Sequence, residues 1–127
     1  MSISNYYEDK ILDHMIRGQA FTPPTTIYAS LHSGDPGEDG TANTVAVARV
    51  AVSFSASSGG QIALTSAVDF TSMPTVASVS YVALWDAAGT GSPPSGGNCL
   101  WSGALTTPRA TTSGDTLRVS TLTVTLD

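Results

Sequence analysis

Charge is scarce in this chain. Ionisable Asp, Glu, Lys and Arg make up only 12% of its 127 residues, about half the usual share for a soluble globular protein. Basic residues are scarcest: Lys10, Arg17, Arg49, Arg109 and Arg118 are scattered along the sequence, and the net charge is −5. No basic patch can be assembled from them, which excludes ordinary DNA or RNA binding and adsorption to an anionic membrane. No apolar run approaches the about 20 residues of a membrane-spanning helix. The N-terminus carries Glu8, Asp9 and Asp13 where a secretory leader needs a basic start and an apolar core, so Sec-type export is not expected. Cys99 stands alone and cannot form an internal disulfide. It lies in the apolar run Cys99-Leu100-Trp101, which suits a small core residue better than a reactive thiol.

What is present is hydrophobic in 41% of positions, enough for one real core, and the length suits one domain. A helix over Asn5–Arg17 opens the chain. Tyr7, Ile11, Leu12, Met15 and Ile16 share one helical face. Asn5 and Glu8 stand at the N-cap and N3 spacing of a capping box, Asp13 and Arg17 form an i,i+4 pair, and Gly18 is a natural C′ residue. Pro23-Pro24 then forbids continuation. The apolar stripe either packs on the chain's own sheet, the preferred reading, or docks on a partner, and Tyr6 lies beside it.

Beyond the helix the chain reads as strands and turns. Thr26–His32 alternates as a half-buried strand, with Ile27, Ala29 and Leu31 opposite Tyr28, Ser30 and His32. Ser33–Gly40 is dense in turn formers. Ala46–Phe54 places Ala48, Val50, Val52 and Phe54 on one face and Val47, Arg49, Ala51 and Ser53 on the other. Gln61–Thr65 and Ala67–Thr71 are short strand candidates, and Val79–Asp86, apolar on both faces, reads as the central strand. Ala87–Asn98 holds four Gly and two Pro in twelve residues and must be a loop. Cys99–Leu105 is a strand, and Thr106–Gly114 is polar and turn-rich. Leu117 and Val119 are out of phase with Leu122, Val124 and Leu126, as a bulge at Ser120-Thr121 would make them. The C-terminus ends in a strand pattern. Roughly seven to nine short strands after one helix favour a mainly β fold, an antiparallel β-sandwich or jelly-roll-like domain. Residues 1–20 form its N-terminal helix and turn, and residues 26–127 the sandwich.

Candidate chemistry is thin. Serine is common, but no G-x-S-x-G occurs, and only His14 and His32 are available as bases, both read as surface histidines. Asp35, Glu38 and Asp39 cluster in one loop, yet lack the alternate-residue spacing of a calcium loop and read as solvated carboxylates, with a weak cation site or a glycosidase half-site as lesser readings. One Cys and two distant His give no zinc pattern. Gly89-Thr90-Gly91 runs into Ser-Pro-Pro and opens no phosphate-binding helix. Trp85 and Trp101 could stack on a saccharide, but they sit in apolar strands where core packing is the stronger reading. No catalytic residue, cofactor or metal is expected, and the chain is read as no enzyme. The residues with partner-contact character are Tyr6, Tyr7, Ile11, Met15, Asp35, Glu38 and Asp39.

The order of segments carries a resemblance. Asn5–His14, of the type N-Y-x-E-x-K-I-L-D-H, is followed by a Pro-rich turn and Thr26–His32, of the type T-x-Y-x-S-L-H. Then come S-G-D-P-G-E-D-G at Ser33–Gly40, the Ala48–Val50 strand, W-D-A at Trp85–Ala87, L-W-S-G-A-L at Leu100–Leu105, and G-D-T-L-x-V at Gly114–Val119. The chain resembles a family of small tailed-bacteriophage virion proteins, its members described either as capsid decoration (cement) proteins or as tail-fibre-like proteins. The resemblance implies a non-enzymatic structural role in the virion for a protein made in the host cytoplasm. The main expectation is a decoration protein that binds the outside of the major capsid protein shell, self-associating as a homotrimer at three-fold positions. The alternative is a tail fibre or baseplate component among tail proteins, with carbohydrate receptor binding.

Overall fold

The computed structural model describes residues 2–126. One helix, α1 (Asn5–Arg17), accompanies nine strands: β1 (Ser2–Ile3), β2 (Ile27–His32), β3 (Val50–Val52), β4 (Gln61–Ala63), β5 (Val68–Met73), β6 (Val76–Trp85), β7 (Cys99–Thr111), β8 (Asp115–Val119) and β9 (Thr123–Thr125). The fold is mainly β, as the patterning predicts, and every named strand pairing is antiparallel. Five strands form the sheet β1-β7-β6-β2-β3, with β6 at its centre. Two ribbons, β4-β9 and β5-β8, complete a sandwich-like arrangement.

Alternation along the strands fixes the core. Leu31 pairs with Val82 and Ala29 with Leu84, and all four point into one cluster with Trp101, Phe70, Met73, Leu117 and Val119. The β5-β8 ribbon therefore covers one face of the sheet with its own apolar side. The next residues along, Ala83 and Trp85, point to the opposite face and join Cys99 and Tyr28 in a second, smaller cluster. β6 is thus buried on both faces, because it has apolar residues at both parities.

The start of α1 shows a different device from the capping box. Ser4, not Asn5, is the N-cap: its Oγ accepts the Tyr7 amide at 3.2 Å. The same hydroxyl donates to the Cys99 carbonyl, and the Ser4 amide donates to the Leu100 carbonyl at 3.0 Å. Ser4 is buried, so one residue both starts the helix and pins it to β7. This anchor is possible because Ser2 and Ile3 already pair with Ser102 and Trp101 as β1, a strand the sequence reading did not foresee. The helix ends as expected, with Gly18 left-handed at φ 67° and its amide bonded to the Asp13 carbonyl. Arg17 Nη1 donates to Asp13 at 2.8 Å.

Several other expectations are corrected. The phase of the Ala46–Phe54 run breaks before β3: a bend turns Val45 and Val47 inward, leaves Ala48 exposed, and buries Arg49. β2 is not half-buried, since Ser30 and His32 are as inaccessible as Leu31. β7 runs through the polar stretch to Thr111, held by its register with β6 and by the Thr111 hydroxyl donating to the Pro74 carbonyl. At Ser120-Thr121 there is no bulge within one strand. The chain leaves the β5-β8 ribbon and re-enters as β9 against β4, which also inverts the apolar phase. The last described residue is tied by its amide to the Gly60 carbonyl at 2.8 Å.

Candidate functional site

The face of the sheet that carries the smaller cluster is roofed by two loops, and between them opens a cleft of about 470 Å³. Arg49 and Trp85 form its floor. Tyr6 and Asn5 from the start of α1, Glu38 to Thr41 and Thr44 from the first loop, and Pro93 to Asn98 from the second complete the wall.

The first loop approaches the sheet closely at Gly40. A methyl there would stand 2.7 Å from Cys99 Sγ and 2.8 Å from the Trp85 ring, and its φ of 73° is left-handed, so this position requires glycine. The carboxylates of the loop serve its own turns. Asp35 accepts the Gly37 amide at 2.9 Å, and Asp39 accepts both the amide and the hydroxyl of Thr41 at 3.0 and 2.7 Å. Those two bonds hold the Asp39 carboxyl below its ordinary value.

The second loop is stitched across its base. Asp86 accepts the Asn98 amide at 2.7 Å and its side-chain nitrogen at 2.9 Å. Thr90 and Ser95 exchange two backbone hydrogen bonds, each of 2.9 Å. Arg49 closes the loop from within: Nη1 donates to the Ala87 carbonyl at 2.9 Å and to the Gly96 carbonyl at 2.8 Å. Its guanidinium carbon stands 3.7 Å from the centroid of the Trp85 ring, a close cation–π stack. The side chain is only 8% exposed, and its Nε is buried without a partner. No Asp or Glu among the described residues lies within ion-pair distance of it. Burial accordingly draws its pKa down, against the opposing pull of Cys99 and Asp86.

Beneath the cleft runs a buried polar chain. Trp85 Nε1 donates to Ser30 Oγ at 2.8 Å, Ser30 Oγ is 2.7 Å from His32 Nε2, and His32 Nδ1 is 2.8 Å from the Ala42 carbonyl. Because a carbonyl only accepts, Nδ1 carries the proton and Nε2 accepts from the serine hydroxyl. The chain then has one direction and every member is satisfied. His32 is a neutral structural histidine, not a surface one, and burial draws its pKa down, with Arg49 adding to the effect and the Ala42 bond opposing it.

The residues with partner-contact character divide into groups. Tyr6, Glu38 and Asp39 meet in this cleft. Tyr7 and Ile11 line a separate apolar groove of about 440 Å³, shared with Ile3, Phe54, Trp101 and Val124. Asp35 lines neither. Met15 stands out in solvent with Leu12 and Ile16, at 69%, 59% and 77% exposure. α1 buries no residue completely: its Tyr7 and Ile11 side rests against the body, and Tyr7 packs edge-on to Phe21 with ring centroids 5.9 Å apart. The preferred reading of the stripe as a sheet-packing face therefore holds for only half of it.

Both indoles are core residues, each 4% exposed, so neither offers a face for saccharide stacking. Cys99 is buried too, and desolvation lifts its thiol to about 11. Among the described residues no three His, Cys, Asp or Glu side chains converge as a metal site would require, and no helix is long and apolar enough to cross a membrane. Sequence reasoning missed Arg49. The available signal was a lone arginine among small apolar residues, Ala46 to Val52, where a surface cation has no evident purpose.

Comparison with curated proteins gave no match. A family model does match, across residues 2–127, and its description is podophage GP4 fiber I protein gp80. The virion resemblance carried by the turn and strand motifs is thereby placed on firm ground, and the chain belongs to this family of bacteriophage structural proteins.

Proposed function

We propose that this protein is a non-enzymatic structural subunit of a phage tail fibre, docking on neighbouring tail proteins through the outer half of the α1 stripe. The observation that carries this reading is the family match over nearly the whole chain, whose description names a fibre. That description favours the tail alternative over the capsid decoration role. Two features of the molecule support the docking mode. Leu12, Met15 and Ile16 form an unpartnered apolar stripe, on a surface otherwise covered by small polar residues. Leu126, 55% exposed, lies beside Leu12 and Ile11 in the adjoining depression, so the apolar surface extends from the helix to the residue that follows β9. A low-charge exterior is a liability for an isolated molecule and an asset for one sheltered by neighbours.

Immunogold electron microscopy of purified virions tests the location. Label on the tail supports the fibre reading, whereas label confined to the head restores the decoration role. Leu12→Ser with Ile16→Ser tests the docking face: virions assembled with this variant lose the subunit while the purified variant keeps its thermal stability. Retention at the unmodified level would refute the helix as the contact.

A further inference from the structure

We propose that the Arg49 cleft binds an oligosaccharide bearing a carboxylate, a uronic-acid-type sugar, so that the fibre subunit carries its own acidic-sugar site. This deepens the fibre reading and rests on it for biological sense, though not for its chemistry.

The argument begins with an uncompensated cation. Arg49 is more than nine-tenths buried, yet among the described residues no carboxylate pairs with it and only Nη1 has acceptors. Nε is buried and unsatisfied, and Nη2 makes no hydrogen bond among the described residues. A buried cation without a counterion is costly, and proteins rarely leave one so. The side chain cannot swing out to water, because the Ala87 and Gly96 carbonyls and the Trp85 ring hold it in place. Its terminal fork is thus preorganised at the floor of an open cleft. A carboxylate entering there would neutralise the charge and accept charge-assisted hydrogen bonds, about twice as strong as neutral ones.

The rest of the lining selects among anions. Glu38 and Asp39 share the wall, and Lys10 Nζ stands 5.7 Å over the ring of Tyr6. These lining groups, one fixed cation set against two carboxylates, disfavour a phosphate- or sulfate-rich polyanion, as does the net charge of −5. They suit a single carboxylate on a body rich in hydroxyl donors, which Glu38 and Asp39 can accept. Thr41, Thr44, Ser95 and Asn98 add hydroxyl and amide groups of the kind that read sugar hydroxyls. The volume, about 470 Å³, falls in the range of small-ligand sites, about 300–1,000 Å³.

The test is a titration of the full chain with glucuronosyl-xylobiose, a trisaccharide bearing one carboxylate, and with the same trisaccharide after reduction of its carboxyl group to an alcohol, followed by nitrogen–proton correlation NMR. The expected result is saturable shifts at the Arg49 Nε–H and at the backbone of residues 38–44 and 95–98, with at least tenfold weaker binding of the reduced sugar. Arg49→Lys keeps the charge but loses the fork, and weakens binding tenfold or more. Thr44→Ala, which disturbs none of the Arg49 bonds, weakens it several-fold with the fold intact. Absence of shifts at millimolar glucuronosyl-xylobiose, equal affinity for acid and alcohol forms, or shifts given only by an acidic peptide would each overturn the proposal. A subunit found on the tail that ignores glucuronosyl-xylobiose leaves the fibre reading standing. One that binds it but sits on the head removes the fibre reading and keeps the site.

Discussion

Two single residues decide how tightly the cleft is built. Gly40 has left-handed backbone and no room for a methyl, because Cys99 and Trp85 already occupy the space. Gly40→Ala should therefore cost about 2–5 kcal/mol, the sum of a left-handed backbone penalty and a steric clash. Gly96→Ala is the matched control: its φ of 100° is equally unsuited to alanine, but nothing lies within 4 Å, so only the backbone part, about 1–2 kcal/mol, should appear. Urea unfolding of the two variants separates the terms, and equal losses would show that the Gly40 contact is easily relaxed. Cys99 supplies a second check on the same packing. Its thiol is buried and raised to about 11, so a thiol reagent at pH 8 should react with the native protein far more slowly than with the urea-unfolded chain. Rapid native-state labelling would mean that the Gly40 loop opens readily. Cys99 as a core residue was legible in the sequence because its neighbours are Leu100 and Trp101. The clash at Gly40 was not, since a glycine in a Gly/Asp-rich turn looks like any other turn former until its neighbours are known.

At the scale of elements, periodic signals survived and local signals competed. The bounds of α1 follow from its apolar face, and β6 was recognisable as the central strand from apolar residues at both parities. The helix start was misassigned to Asn5 because its side chain is as good a cap as serine in isolation. Ser4 prevails because it sits at the end of β1, where its hydroxyl also reaches the Cys99 carbonyl. β7 reaches Thr111 against low local propensity because Arg109 and Thr111 pair with Val79 and Val76 of β6, beyond a register shift that separates them from the Ala104–Tyr81 pair. The slip between Leu117–Val119 and Leu122–Leu126 was read correctly as a discontinuity, but periodicity cannot tell a bulge from a change of partner strand. The double role of Ser4 makes a distinct prediction. Ser4→Ala should cost about 1–2 kcal/mol, as a cap loss does. The Cys99 carbonyl also loses its hydroxyl donor, which adds about 1 kcal/mol, the net worth of one hydrogen bond. Ser4→Asn restores a capping side chain but is too long for the carbonyl bond, so it should recover only part of the loss. Full recovery in chemical denaturation would reduce Ser4 to a simple cap.

For the whole molecule, the partition of polar groups matters more than their number. The exterior is weakly ionic, and its ion pairs, Asp13 with Arg17 and Asp69 with Arg118, are exposed and contribute little. The groups that matter lie under the cleft: Arg49, without a counterion among the described residues, and the chain Trp85, Ser30, His32, Ala42 carbonyl. None of this was visible from spacing, because Ser30 and His32 occupy the polar parity of an ordinary-looking strand, and only the roof formed by residues 35–42 makes that parity interior. Burial keeps His32 below its ordinary value near 6.5, so the unfolded chain takes up its proton at a higher pH than the folded one. Between the two values the unfolded state holds more protons, and stability rises with pH. The contribution is complete above about pH 7 and is lost as pH falls below 6.5, by about 1.4 kcal/mol for each unit that separates the folded and unfolded values. The carboxylates held low by hydrogen bonds, Asp39, Asp69 and Asp115, act in the same direction but near and below 3.8, so the two effects occupy separate windows. The melting temperature should therefore fall between pH 7 and pH 5. That slope should persist in His14→Gln, which alters the exposed helix histidine, and vanish in His32→Gln, which is less stable at pH 7 but flat across the window. A slope that survives His32→Gln would place the titrating group elsewhere.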